Sequence, residues 1–344
     1  MSTSTAPAGA GPPAGSDPHR ADRSRPSVPG NGALAVLAAV AAGLVVPVQA
    51  RLNGELSHRL HDGIAAAAIS FSGGLVLLSV VALFSRGMRG ALRRLADAAR
   101  DGRFPRRYLL AGVLGGTFAL AQSTVTLVTG IAVFTVSAIA GQTIGGLVVD
   151  SRGIGGGPRR RPGAARLTGA AVVLAAAVVS ALPRLTGSLT PASIILPAVV
   201  TVAAGFLLGV QQALNGATTA ASGSPLAATW LSFLVGAVVL VTAWGVKTLV
   251  KGTAGYTLPT SLWVYLGGLC GVVFIGASAF LVRRIGVLLL TMASIAGQLV
   301  GSVTLDLLAP SDGQSPSVLT GIGALLTFSA VWIASRRPRG TGPH

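Results

Sequence analysis

Apolar positions along this chain do not alternate with polar ones. They gather in ten runs, 32–52, 64–84, 108–129, 131–149, 166–183, 192–214, 225–246, 261–281, 286–308 and 317–335, separated by polar connectors. A helical run of about 20 apolar residues matches the thickness of a bilayer's hydrocarbon core. Barrel strands would instead alternate apolar and polar over roughly 10 residues, whereas 170–179 is apolar at every position. The pattern therefore predicts an all-α integral membrane protein with ten transmembrane helices. Residues 1–31 carry Pro, Gly, Ser and Ala with little to bury, which predicts a disordered tail. Residues 336–344 form a short basic tail. Pro47-Val48-Gln49-Ala50 resembles a signal-peptidase site. The same segment recurs later in the chain, where no signal peptide can sit, so the first run is expected to remain as a helix.

Composition agrees. Hydrophobic residues make up 51% of the chain and charged ones 10%, with a mean hydropathy of +0.72, while soluble domains carry charge on about a quarter of their residues. The net charge of +17 raises the possibility of a nucleic-acid partner. No recognition module accompanies it, and the arginines cluster in connectors between apolar runs, so the expected partner is the lipid bilayer. With both termini cytoplasmic, the cytoplasmic side holds 21 Lys and Arg and the opposite side 5. That bias predicts cytoplasmic termini. Cys270 is the only cysteine, which excludes a disulfide within the chain.

The chain repeats itself. Residues 42–54 align without gaps on 204–216 at an offset of 162, and Ser70, Phe71 and Gly74 continue the register onto Ser232, Phe233 and Gly236. At an offset of 156, Gly130, Thr135, Gly141, Gln142, Gly145 and Asp150 fall on Gly286, Thr291, Gly297, Gln298, Gly301 and Asp306. The expected units are a first five-helix repeat over 32–183, a linker at 184–191 and a second repeat over 192–335. An odd number of spans inserts the second copy upside down relative to the first. The charges agree, because the arginine-rich connector 85–107 corresponds to 247–260, which holds only Lys247 and Lys251. Inverted repeats can exchange conformations and expose a central site to either side.

Three motifs carry a family resemblance: a run ending in Q-x-x-x-N-G, a span with S-F-x-x-G, and a G-Q-x-x-G span ending in Asp. The chain resembles the YdcZ-like proteins of the bacterial drug/metabolite transporter (DMT, EamA-like) superfamily, in their fused two-repeat form, over about residues 32–336. The resemblance implies a multi-pass permease of the bacterial inner membrane that works as an exporter. Its substrate and oligomeric state are not implied. Arg51 and Ala213 occupy one matched position, so the halves have diverged.

Gln142 and Gln298 fall near the middle of their spans and are the candidate substrate-binding residues. The alternative is a hydrogen bond between helices, since each adjoins a G-x-x-x-G pattern, Gly141 to Gly145 and Gly297 to Gly301. Gln49 with Asn53, and Gln211 with Asn215, are four apart and share a helix face, which makes them candidate gate or vestibule residues. Asn-Gly is also helix-end chemistry, so either asparagine could simply cap carbonyls. Pro47 and Gly209 sit beside the glutamines as potential helix breakers, the kind of matched interruption that marks a transporter's binding region. Asp150 and Asp306 end matched spans and are candidates for coupling to protons or a cationic substrate, against pairing with a loop arginine such as Arg152.

No charged residue falls clearly at mid-depth, which favours neutral or organic substrates. His58 and His61 are three apart in an exposed loop, too little for a metal site. There is no H-E-x-x-H, G-x-S-x-G or Walker A loop, so neither a protease nor an ATP-driven pump is supported, and neither enzyme activity nor a cofactor is expected. The leading expectation is a secondary transporter of a small organic metabolite or xenobiotic working by alternating access. A lipid or lipid-precursor flippase of the same architecture is the alternative.

Overall fold

The computed structural model describes residues 30–161, 163–181, 191–252, 257–308 and 318–335. Every regular element among them is helical: α1 (Gly30–Leu60), α2 (Gly63–Phe84), α3 (Arg86–Arg100), α4 (Leu110–Arg152), α5 (Ala164–Ala181), α6 (Pro191–Ser222), α7 (Pro225–Lys251), α8 (Gly267–Ile285), α9 (Val287–Leu308) and α10 (Val318–Ser335). Seven helical stretches among the described residues are long and apolar enough to cross a membrane, and two shorter apolar helices accompany them. Large apolar side chains such as Leu34, Val76, Phe84, Leu249 and Trp332 face outward, as lipid-facing surfaces require. The tail 1–29, the linker residues 182–190 and the tail 336–344 lie outside the described residues.

The expected spans 108–129 and 131–149 both fall largely within one helical element, α4. A straight helix would set Phe118 and Phe134 about 24 Å apart. Their ring centroids lie 5.8 Å apart. The chain therefore doubles back between them, and α4 consists of two limbs lying side by side.

Two other expectations change. The connector 85–107 contains a helix, α3, whose Met88, Ala91 and Leu95 are buried while its arginines face out. An amphipathic helix of this kind is invisible to a hydropathy scan that counts the arginines as loop. Second, α1 and α6 continue well past their apolar runs to Leu60 and Ser222. Asn53-Gly54 and Asn215-Gly216 thus lie inside helices and do not cap their ends. Hydropathy falls there because the final turns pack against protein: Leu56, Ser57, Thr218 and Ser222 are all buried.

The two halves interlock. Gly43 of α1 lies against the Ser294 carbonyl of α9, and its matched residue Gly205 of α6 lies against the Ala138 carbonyl of α4. An added methyl at either glycine would collide with that neighbouring backbone, so close helix contact requires glycine at both. At the centre Phe71 of α2 meets Phe233 of α7, matched residues touching each other, with ring centroids 5.0 Å apart. Reciprocal contact of this kind is what a two-fold relation produces. Along the same helix pair, Asp62 at the start of α2 pairs with Lys247 near the end of α7 at 2.7 Å. Further along, Ser79 accepts from the Trp230 indole at 2.9 Å. Early residues of one helix meet late residues of the other, so α2 and α7 run antiparallel.

Contacts between connectors sort the charges to two ends of the bundle. At one end Arg94 of α3 donates to the Ser222 carbonyl at the α6 terminus, at 3.0 and 2.8 Å, and Arg160 donates to the Arg284 carbonyl at 3.2 Å. The other end holds the Asp62–Lys247 pair, the Arg59–Glu55 pair and a bond from Arg59 to Ser261.

Candidate amide-lined cavity

A cavity of about 260 Å3 opens among α1, α2, α4 and α9. It adjoins a smaller recess of about 70 Å3 that reaches α6, α7 and α8. Ser70, Phe71, Phe118, Gln122, Gln142 and Gln298 line both. The two glutamines singled out by the repeat are thus brought together on one wall, and Gln142 is buried. Gln49 and Gln211 join them in the recess, while Asn53 lines the wider cavity. Asn215 is buried and lines neither space.

Matched glycines hold Gln49 and Gln211. The Gln211 amide lies against Gly115, and the Gln49 amide lies 3.0 Å from where a Cβ on Gly271 would stand. Gln211 donates a long 3.5 Å hydrogen bond to Ser232, and its Oε1 has no hydrogen-bond partner. Asn53 Oδ1 and Ser57 Oγ are likewise buried without partners. Buried polar atoms normally find a partner, so three such atoms around the cavity and its recess mark a place for a ligand or water. Pro47 and Gly209 do not interrupt their helices. The Pro47 ring packs near Gly301, and Gly209 packs near Gly145 and Gly146, so both are positions of close helix approach.

The cavity is not symmetric. Asn53, Gln122 and Thr135 line it and are half-buried, while the residues matched to them, Asn215, Ser278 and Thr291, are buried and line neither space. There the Thr291 hydroxyl donates to Gln212 Oε1 at 3.3 Å, and Leu288, Leu290, Met292 and Ile295 form a dry core. At the Thr291 end the protein is packed apart from a separate pocket of about 180 Å3 beside Asp150, whereas the Asn53 end opens into the cavity.

Asp150 works at the Thr291 end, beside that pocket. Its carboxylate accepts from the Val287 and Leu288 amides at 2.8 and 3.2 Å, capping the first turn of α9, and pairs with Arg166 at 3.3 Å. The arginine it meets is Arg166 of α5, where the sequence suggested a loop arginine such as Arg152. Nearby burial lowers the Arg160 pKa from its ordinary value; the Asp150 charge opposes this and Arg166 adds to it. Asp306 lies on α9, with its side chain outside the described residues. The His58 and His61 rings sit 6.1 Å apart. Among the described residues no three His, Cys, Asp or Glu side chains gather as a metal site.

Sequence reasoning missed Gln122 and the aromatic lining. Gln122 falls on Ser278 at the offset of 156, so the repeat gave it no emphasis. Phe71 and Phe233 were visible in the S-F-x-x-G match, yet nothing in it says that they meet.

The family model DMT_YdcZ, described as "Putative inner membrane exporter, YdcZ", matches residues 34–179 and again 196–333. The chain belongs to the YdcZ family. A curated relative, the inner membrane protein YdcZ of Escherichia coli (strain K12), is 31% identical over 138 residues, spanning 40% of this chain and 92% of that protein. A crystal structure of a protein 16% identical in sequence superposes with a TM-score of 0.65, covering 88% of this chain and 96% of that one, which shows a shared fold. Family membership makes this a multi-pass inner-membrane protein of the drug/metabolite transporter kind, a transporter of the exporter type.

Proposed function

We propose that the chain is a secondary exporter of a small organic solute, built as ten spans in two inverted five-helix halves with both termini cytoplasmic. The amide-lined cavity is its substrate site, and alternating access at the repeat interface is its mechanism. The antiparallel run of α2 against α7, with Phe71 on Phe233, supports the inversion. The positive-inside bias makes the Arg94 and Arg160 end cytoplasmic. On that orientation the described conformation is outward-facing, open around Asn53 and closed around Thr291.

The observation that carries the reading is the meeting of Gln142 and Gln298 in one cavity, with Asn53 and Thr135 lining it while their matched residues Asn215 and Thr291 are buried. Inward opening would exchange the two environments: Asn215 and Thr291 become lining, and Asn53 and Thr135 become packed. Asp150 serves as a latch of the inner seal through the α9 cap. The test is flux in proteoliposomes across a metabolite panel under imposed ion gradients. Gln142→Ala and Gln298→Ala should each lower flux while the protein stays folded. Normal flux in both variants would sink the proposal, and lipid translocation without solute flux would favour a flippase.

A further inference from the structure

The recess is unusual in its chemistry. Gln49, Gln122, Gln142, Gln211 and Gln298 all line it, and each primary amide offers two donors and an acceptor. None of the described residues that line the recess carries a charge; Arg51 lines only the wider outer cavity. A charged group brought into the recess would leave water without a counter-charge to meet it, at heavy cost. Phe71, Phe118 and Phe233 supply aromatic surface beside the amides, suited to a flat apolar body.

Gln211 sharpens the point. It is 1% exposed, and its Oε1 has no hydrogen-bond partner. Ser232 can engage only one end of that amide whichever way it is turned. The free end calls for a ligand group that complements an amide edge. A carboxylate accepts only and an ammonium donates only, whereas an amide does both from adjacent atoms.

Resting on the reading of this cavity as the substrate site, we infer that the solute class is an uncharged planar molecule with an amide-like edge on an aromatic or apolar body. The edge enters the recess among the glutamines, and the body lies against Phe71 and Phe118, which line both the recess and the wider cavity. Bidentate pairing between primary amides is the recognition chemistry, as when Asn or Gln reads a base edge.

Three probes of nearly equal size decide it: benzamide, benzoate and benzylammonium, each titrated against the full chain in detergent with thermal unfolding as the readout. Benzamide should give a saturable rise in midpoint, with apparent affinity about ten- to a hundredfold above either ion, the factor expected when a buried partner is left unmatched. Gln211→Met, similar in length and apolar, should abolish the benzamide shift. If that variant does not fold, the order of the three probes on the unmodified chain still decides. Equal or tighter binding of benzoate or benzylammonium overturns the inference, as does the absence of any benzamide shift. Preference for an ion that is lost in Gln142→Ala removes the solute class and leaves the site standing. A shift indifferent to both Gln142→Ala and Gln298→Ala removes the site and the inference together.

Discussion

The Phe71 and Phe233 rings lie 5.0 Å apart, and each occupies in its own half the position the other occupies in the second. Gly74 and Gly236, one turn further along, leave room for those rings: a methyl at Gly74 would strike Phe233, and one at Gly236 would strike Phe71. Gly74→Ala and Gly236→Ala should therefore each destabilise the fold by about 1–3 kcal/mol, the usual cost of overpacking. Thermal unfolding checks it. Two variants that unfold like the unmodified protein would show that the α2–α7 contact is loose.

The Asp62–Lys247 pair gives a cleaner test, because the two partners are unequally covered. The Asp62 side chain is 1% exposed and that of Lys247 28%. Asp62 also caps α2, accepting from the Ile64 and Ala65 amides at 2.9 and 3.3 Å. Lys247→Met should cost about 3–5 kcal/mol by leaving a buried carboxylate without its partner. The double variant Asp62→Ser with Lys247→Met should recover most of that, because Ser224, matched to Asp62, caps α7 through the Ala227 amide. A double-mutant cycle by thermal unfolding measures the recovery, and a strictly additive result refutes the pairing.

Asp150 ties the end of α4 to the start of α9. Asp150→Ala should remove the cap, costing about 1 kcal/mol, and, on the proposed orientation, should loosen the packing at the cytoplasmic end. Ala213, which lines the pocket beside Asp150, reports on this if replaced by cysteine in a Cys270→Ser background. Labelling of that cysteine from the cytoplasmic side should speed up when Asp150 is lost. Unchanged labelling would make the cap purely structural.

Gly115 and Gly271 set the glutamines that they touch. Gly115→Ala should push the Gln211 amide out of its place and weaken any solute that depends on it, with Gly271→Ala doing the same through Gln49. Solute-dependent thermal stabilisation separates this from a general loss of fold. Loss of the shift with an unaltered ligand-free midpoint is the expected result.

The internal repeat makes Gln142 and Gln298 legible in the sequence, because two aligned amides in otherwise apolar runs stand out. Gln122 is not legible, since its matched residue is Ser278 and one glutamine alone carries no such signal. The ends of α1 and α6 escape the sequence pattern for a physical reason: Ser57 and Thr219 are polar yet enclosed by protein, and hydropathy cannot tell protein-facing from water-facing polarity. The arginines of α3 hide a helix in the same way. Nor can the aligned halves reveal which end is open. Both halves carry the same motifs, and the asymmetry lies in how Thr135 and Thr291 are packed, one lining the cavity and the other sealed behind Gln212.

The interlocking of α1 with α9 and of α6 with α4 packs each half closely against the other. A half-length chain packed this way would have to pair with a second copy, and any substitution would then appear at both ends of the pair at once. Covalent fusion lifts that restriction. Arg51 stands where the other half has Ala213, and an ion pair at Asp62 stands where the other half has Ser224. Joined in one chain, the two ends of the bundle are free to diverge.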